Sequence, residues 1–256
     1  MSKSTPHDDA FFIGWSSSIP RSLALFLFAI SMMFLGLMAG LALSTRAGID
    51  DPGPGGFIWG QPKGAITGKL EMYSYPVLRI PPGEDGTPAQ ALFFSGQGKR
   101  GIANQADKHN GQMVDAKGVY IKRGTITMMQ LGNMVQASQE ISDYTPAPPK
   151  PLGRWKIAGE ICDGKCYAGA MRPGRGLAHK ACANLCIIGG VPAVFVSASP
   201  VDGETFFLLA NQDGQAVSKD TLKSLMALYI EAEGEVERVD DLLIFKMDTS
   251  TVKVLR

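Results

Sequence analysis

The sequence predicts a mainly β protein: an N-terminal transmembrane helix, then two small β domains of barrel type, the second with a short helix bearing Cys and His. Three observations carry this prediction. Residues 22–44 are apolar and uncharged, two Pro/Gly-rich breaks divide the remainder, and both pieces they bound look predominantly β, with strict alternation over residues 228–237. Composition narrows the function classes. Lys plus Arg number 25 against 24 for Asp plus Glu, a net charge of +1, which leaves no electrostatic footprint for a nucleic acid. With 45% hydrophobic and 19% charged residues, the chain is too apolar for a disordered one.

The first element is the run from Ser22 to Ser44, 23 residues without a charge. As a helix it spans roughly 34 Å, enough for a hydrocarbon core of about 30 Å. Small residues at Ala39 and Ala42 suit a signal peptidase, but the apolar run is longer than the usual signal core of about 7–15 residues. The sequence therefore favours an uncleaved single-pass anchor. Lys3 and Arg21 precede it and Arg46 follows, a slim positive-inside bias. It places the leader 1–21 in the cytoplasm, the anchor 22–44 in a bacterial inner membrane and the rest in the periplasm. The leader segment Phe11-Phe12-Ile13-Gly14-Trp15 reads as an interfacial aromatic anchor.

A linker over 45–61 contains Asp51-Pro52-Gly53-Pro54-Gly55-Gly56, which no regular element crosses. A second linker over 141–153, with Thr145-Pro146-Ala147-Pro148-Pro149-Lys150-Pro151, is stiff and extended. They bound a first β domain at 62–140 and a second at 154–256. Residues 228–237 alternate strictly, with Leu228, Ile230, Ala232, Gly234 and Val236 on one face and Glu231, Glu233, Glu235 and Glu237 on the other. That acidic row reads as solvated surface. The two domains also echo each other: 114–130 follows the plan of 230–246, Ala65–Leu70 parallels Ile157–Ile161, and Ala91–Phe94 parallels Thr205–Leu209. Tandem barrels of the OB type fit these strand lengths and spacings.

The chemistry concentrates in an insertion over 162–190 that has no counterpart in the first domain. Cys162, Cys166, Cys182 and Cys186 form two C-x3-C pairs, with His179 three residues before Cys182. Residues 177–188 lack Gly and Pro and end at Gly189-Gly190, which predicts a short helix with a glycine cap. On it His179, Cys182 and Cys186 make one stripe at i, i+3 and i+7. The turn Pro173-Gly174-Arg175-Gly176 folds Cys162 and Cys166 back over that stripe. Thiolates with an imidazole hold zinc or copper, with Met171 as a further soft donor. The same four cysteines outside the cytoplasm also suit two structural disulfides, or one disulfide beside reactive thiols. The spacing fits neither covalent haem nor a C-x2-C redox pair.

The run Lys165-Cys166-Tyr167, Gly169-Ala170-Met171, Pro173-Gly174, His179, Cys182-Ala183, Cys186-Ile187, Gly189-Gly190 and Pro192 resembles a segment of functionally uncharacterised bacterial exported or membrane-anchored proteins. In that group the position of Cys162 is usually apolar. The resemblance, which covers about 35 residues, implies a shared set of Cys166, His179, Cys182 and Cys186 and supplies no catalytic activity.

Gly96-Gln97-Gly98-Lys99-Arg100-Gly101 lacks phosphate-loop spacing and reads as a barrel turn. His7 falls in the leader and His109 at a loop tip. No Ser-His-Asp or carboxylate pair assembles, so the reading leans away from an enzyme. The expectation is an extracytoplasmic metal-binding or accessory subunit of a membrane redox system. Its ligands would be Cys166, His179, Cys182 and Cys186, with Cys162 and Met171 as alternates, and its partners the bilayer and a membrane-protein complex. The rival is a scaffold subunit stapled by two disulfides.

Overall fold

The computed structural model describes residues 19–48, 53–132, 136–138 and 143–255, so the leader motif Phe11–Trp15 and His7 lie outside the described residues. Two units are distinct in it. The first contains helix α1 (Arg21–Gly48), in which Arg21–Ser44 is long and apolar enough to cross a membrane and has none of its length buried in protein. An anchor and a signal sequence both satisfy that description.

The second unit is mixed α/β, mostly strands, arranged as two sheets. The first sheet takes β1 (Gly56–Ile58), β2 (Ile66–Met72), β3 (Pro76–Ile80), β4 (Gln90–Ser95), and, after the single turn of α2 (Ala103–Ala106), β5 (Met113–Ala116), β6 (Gly118–Arg123), β7 (Ile126–Leu131) and β8 (Gln136–Ala137). Its order is β1-β6-β7-β4-β3-β2-β5-β8. The second takes β9 (Lys150–Asp163), then, past helix α3 (Lys180–Ile188), β10 (Ala193–Val201) and β11 (Glu204–Asn211), and, past α4 (Lys219–Leu225), β12 (Tyr229–Val239) and β13 (Leu242–Val254). It closes on itself in the order β10-β11-β13-β12-β9. β9 begins inside the Pro-rich stretch, because Pro151 opens a strand rather than interrupting one.

Both sheets repeat one connectivity. Each has a single parallel pair, β4 with β7 and β11 with β13, among antiparallel neighbours. The registers correspond residue for residue. Gly118↔Leu131 and Arg123↔Ile126 in the first sheet match Gly234↔Met247 and Val239↔Leu242 in the second. Likewise Ile66↔Ala116 and Gly68↔Val114 match Ile157↔Ala232 and Gly159↔Ile230. Where β12 runs unbroken between β9 and β13, the first sheet uses β5 on β2 and β6 on β7, with only Lys117 between them. The glycines explain the pattern: a Cβ on Gly118 or Gly234 would collide with the carbonyl oxygen of Gln130 or Lys246, so the same strand crossing demands glycine in both copies.

Residue alternation decides the packing. Leu70, Leu78, Phe94 and Met129 fill the first sheet's own core. Their neighbours Val77, Phe93 and Met128 join a larger core with Phe195, Phe207 and Phe245, so the two repeated halves share buried surface. That explains why β3 and β4 are buried on both faces. A buried ion cluster spans the halves: the Arg79 guanidinium donates to Glu71 at 2.9 Å, to both Asp240 oxygens, and to the Ala147 carbonyl at 2.9 Å. On β12, Ile230, Ala232, Gly234 and Val236 are buried as their alternation required. Of the facing glutamates, Glu231 pairs with Lys156 at 2.8 Å, Glu233 with Arg154 at 3.2 Å and Glu237 with Lys246 at 2.6 Å, while Glu235 is exposed.

Candidate metal centre

The insertion grows from the β9–β10 connection, which in the first half is the short turn between β2 and β3. After Asp163 the chain makes one wide turn over Cys166–Ala170, passes the exposed Met171, and returns through a turn at Leu177–His179 into α3. The predicted helix is therefore split, with His179 at its N-cap rather than inside it. Gly189 ends α3 with ordinary helical angles, and Gly190 takes the left-handed conformation, φ 87°, that lets the chain turn into β10.

Cys166, Cys182 and Cys186 come together in a small cluster with Val191, whereas Cys162 belongs to the large core. The donor atoms of Cys166, His179 and Cys182 all lie within 4.8 Å of one another, and so do those of Asp163, Cys166 and Cys186. Cys166 is common to both sets. Its sulfur is 4.0 Å from that of Cys186, and all four cysteines are thiols. The Cys182 sulfur is 3.2 Å from the Met171 thioether. Cys162 instead contacts Glu160 at 3.4 Å, and Glu160 also accepts the Gly176 N–H at 2.5 Å, which closes the base of the loop.

His179 and Asp163 are buried together, with Nε2 3.0 Å from the carboxylate. The other Asp163 oxygen accepts the Cys166 N–H at 2.9 Å. A carboxylate on one imidazole nitrogen fixes the ring and leaves Nδ1 as the nitrogen free to ligate, the usual arrangement behind a metal-bound histidine. Asp163 shares strand parity with the buried Ile157 and Ile161, so a carboxylate on a core-facing position was the one sequence signal for it.

Lys99, in the glycine-rich run expected to be only a barrel turn, completes the surroundings from the first half. Its ammonium donates to the Cys182 sulfur at 2.7 Å and reaches Cys186 at 3.8 Å. The glycine-rich turn holding it docks backbone to backbone on the α3 terminus: Gly101 donates to the Gly189 carbonyl at 2.9 Å. Buried Lys165 donates to the Gly96 and Gly98 carbonyls at 2.8 and 2.7 Å, pinning the turn from below. No spacing signal links Lys99 to cysteines more than eighty residues away. His109 ends a short turn and contacts Gln112, remote from this cluster in its bonding.

The electrostatics follow from these contacts. Hydrogen bonding to Cys182, then the neighbouring thiols, pushes the Lys99 ammonium up, while burial pulls Lys165 down. The shared Cys166–Cys186 contact raises Cys166 and lowers Cys186. Burial raises the Cys162 thiol well above its ordinary value, and the Glu160 charge adds to it. Cys162 is thus an inert core thiol, whereas Cys182 and Cys186 lie against the Lys99 ammonium. Comparison with known proteins adds no name to this arrangement: neither a protein-family model, nor a curated protein, nor a solved structure matches the chain.

Proposed function

We propose that the chain is a membrane-anchored, metal-binding accessory subunit of a bacterial membrane redox system, with its β body on the periplasmic side. The observation that carries the reading is the Cys166–His179–Cys182 set, its first two members buried and Cys182 half-buried, with His179 already oriented by Asp163. The apolar helix supports attachment to a bilayer. The closed second sheet reads as an OB-type barrel whose strand pairing the open first sheet echoes, and the insertion occupies the connection between that barrel's first and second strands, one of the loops OB-type barrels use for ligands. The metal-site and anchor residues are the working parts; no catalytic residue is assigned.

The two-disulfide scaffold reading has less support. Cys162 packs in a different cluster from the other three sulfurs, and the Cys166–Cys186 separation of 4.0 Å is about twice a bonded length. The test uses the full chain, exported, extracted in detergent and purified without chelator, with metal and free thiols counted in one sample. The expected result is close to one metal per chain and thiols that react only after metal removal or unfolding. A metal-free chain about 4 Da lighter than its reduced form would establish the scaffold instead.

A further inference from the structure

We infer that the ion held by this centre is copper(I), bound by Cys166, His179 and Cys182 with Met171 as a supporting soft donor. The inference rests on the metal-binding reading and selects the metal within it. Its first ground is the ligand count. Among the described residues, donor atoms within 4.8 Å of one another come in threes, and Cys186 does not join Cys166, His179 and Cys182 in one such set. A structural zinc site is tetrahedral and closed by four protein ligands, whereas copper(I) is content with two or three.

The second ground is the thioether. Met171 is exposed at 43%, yet its sulfur sits 3.2 Å from the Cys182 sulfur rather than in an apolar cluster. A thioether is a poor zinc ligand and a good copper(I) ligand, so its seat beside the partly exposed thiolate suits the softer ion. The third is charge. Two thiolates, a neutral imidazole and a monovalent ion sum to one negative charge, which the Lys99 ammonium against Cys182 balances. The Met171–Cys182 edge is also the accessible side of the centre, because Cys166 and His179 are buried.

The experiment titrates the reduced, anaerobic, detergent-solubilised full chain with copper(I) in competition with a copper(I)-specific chromophoric chelator. A parallel titration uses zinc(II) and a zinc chelator, and X-ray absorption at the copper edge reports the ligands. The expected result is one copper(I) per chain retained against excess chelator, with sulfur-dominated scattering. Met171→Leu should weaken copper(I) by about tenfold and leave zinc(II) unchanged. Zinc(II) held more tightly than copper(I) under the same competition, or no loss of copper(I) affinity in Met171→Leu, overturns the copper assignment while the metal site stands. Retention of neither ion overturns the metal site itself.

Discussion

Replacing Gly189 with alanine tests whether the docking of one half on the other builds the centre. Gly189 has helical angles, φ −73° and ψ −5°, so alanine meets no backbone obstacle there. The difficulty is steric: a Cβ would overlap the Lys99 carbonyl oxygen, far inside the 3.0 Å limit that Cβ contacts respect. The turn must therefore retreat by more than about 1 Å, which breaks the Gly101 to Gly189 hydrogen bond and draws Lys99 from Cys182. Overpacking costs about 1–3 kcal/mol and the lost hydrogen bond about 1 kcal/mol, against a gain of about 0.4–1 kcal/mol from a less flexible unfolded chain. The net loss centres on about 2.3 kcal/mol, or a fall of about 5–9 °C in Tm for a domain of this size. Gly132→Ala, whose Cβ would meet only the Lys117 oxygen at 3.7 Å, is the control and should change Tm little. Thermal unfolding followed by near-ultraviolet circular dichroism reads both variants. Cys182 alkylation should also change in Gly189→Ala alone. Equal Tm values for the two variants would refute the steric reasoning.

Other perturbations address the ligands and the ion cluster. Asp163→Asn should weaken metal binding by about 10–100-fold through loss of His179 orientation, measured by chelator competition. His179→Ala should lower metal content directly, and unchanged content would remove His179 from the centre. Arg79→Met leaves Asp240 buried without its cation and should cost about 3–5 kcal/mol in urea unfolding, with no rescue by Arg79→Lys because a point charge does not replace the two-pronged contact. Burial raises the Asp241 carboxyl, so the folded chain binds that proton more tightly than the unfolded one. Its contribution to stability is full below the ordinary carboxylate value and is lost as pH rises through the raised one. Asp241→Asn should remove that downward slope from urea unfolding measured across the acid range, and identical slopes would contradict it.

Much of the fold was written in local pattern. Period-2 alternation located β12 and its buried face, and the breaks at residues 51–56 and 145–151 fell beside strand starts. The echo between halves was faint as sequence because most aligned positions require only an apolar side chain. Register makes it definite, since Gly68, Gly118, Gly159 and Gly234 occupy equivalent crossings. The candidate centre was legible in part: Cys182 and Cys186 follow helical spacing on α3, while His179 caps that helix instead of continuing its stripe. Lys99 was not legible, because its approach depends on two glycine backbones meeting across the halves. Asp163 lay one residue from a cysteine already singled out, and only strand parity marked it as buried.

The matched registers also define a portable module. Cys162↔Val194 closes the insertion in the second half, and Glu71↔Val77 is the same rung of the ladder in the first. The two anchor points are therefore set by one strand geometry, and the loop that begins at Asp163 and ends at Ala193 has a ready-made socket between Glu71 and Val77. Grafted there, it would carry its cysteines, histidine and aspartate but meet no lysine turn from a neighbouring half. Such a chimera separates what the loop does as a self-contained ligand set from what the lysine of the opposite half adds, a dissection that the matched registers lay out within a single chain.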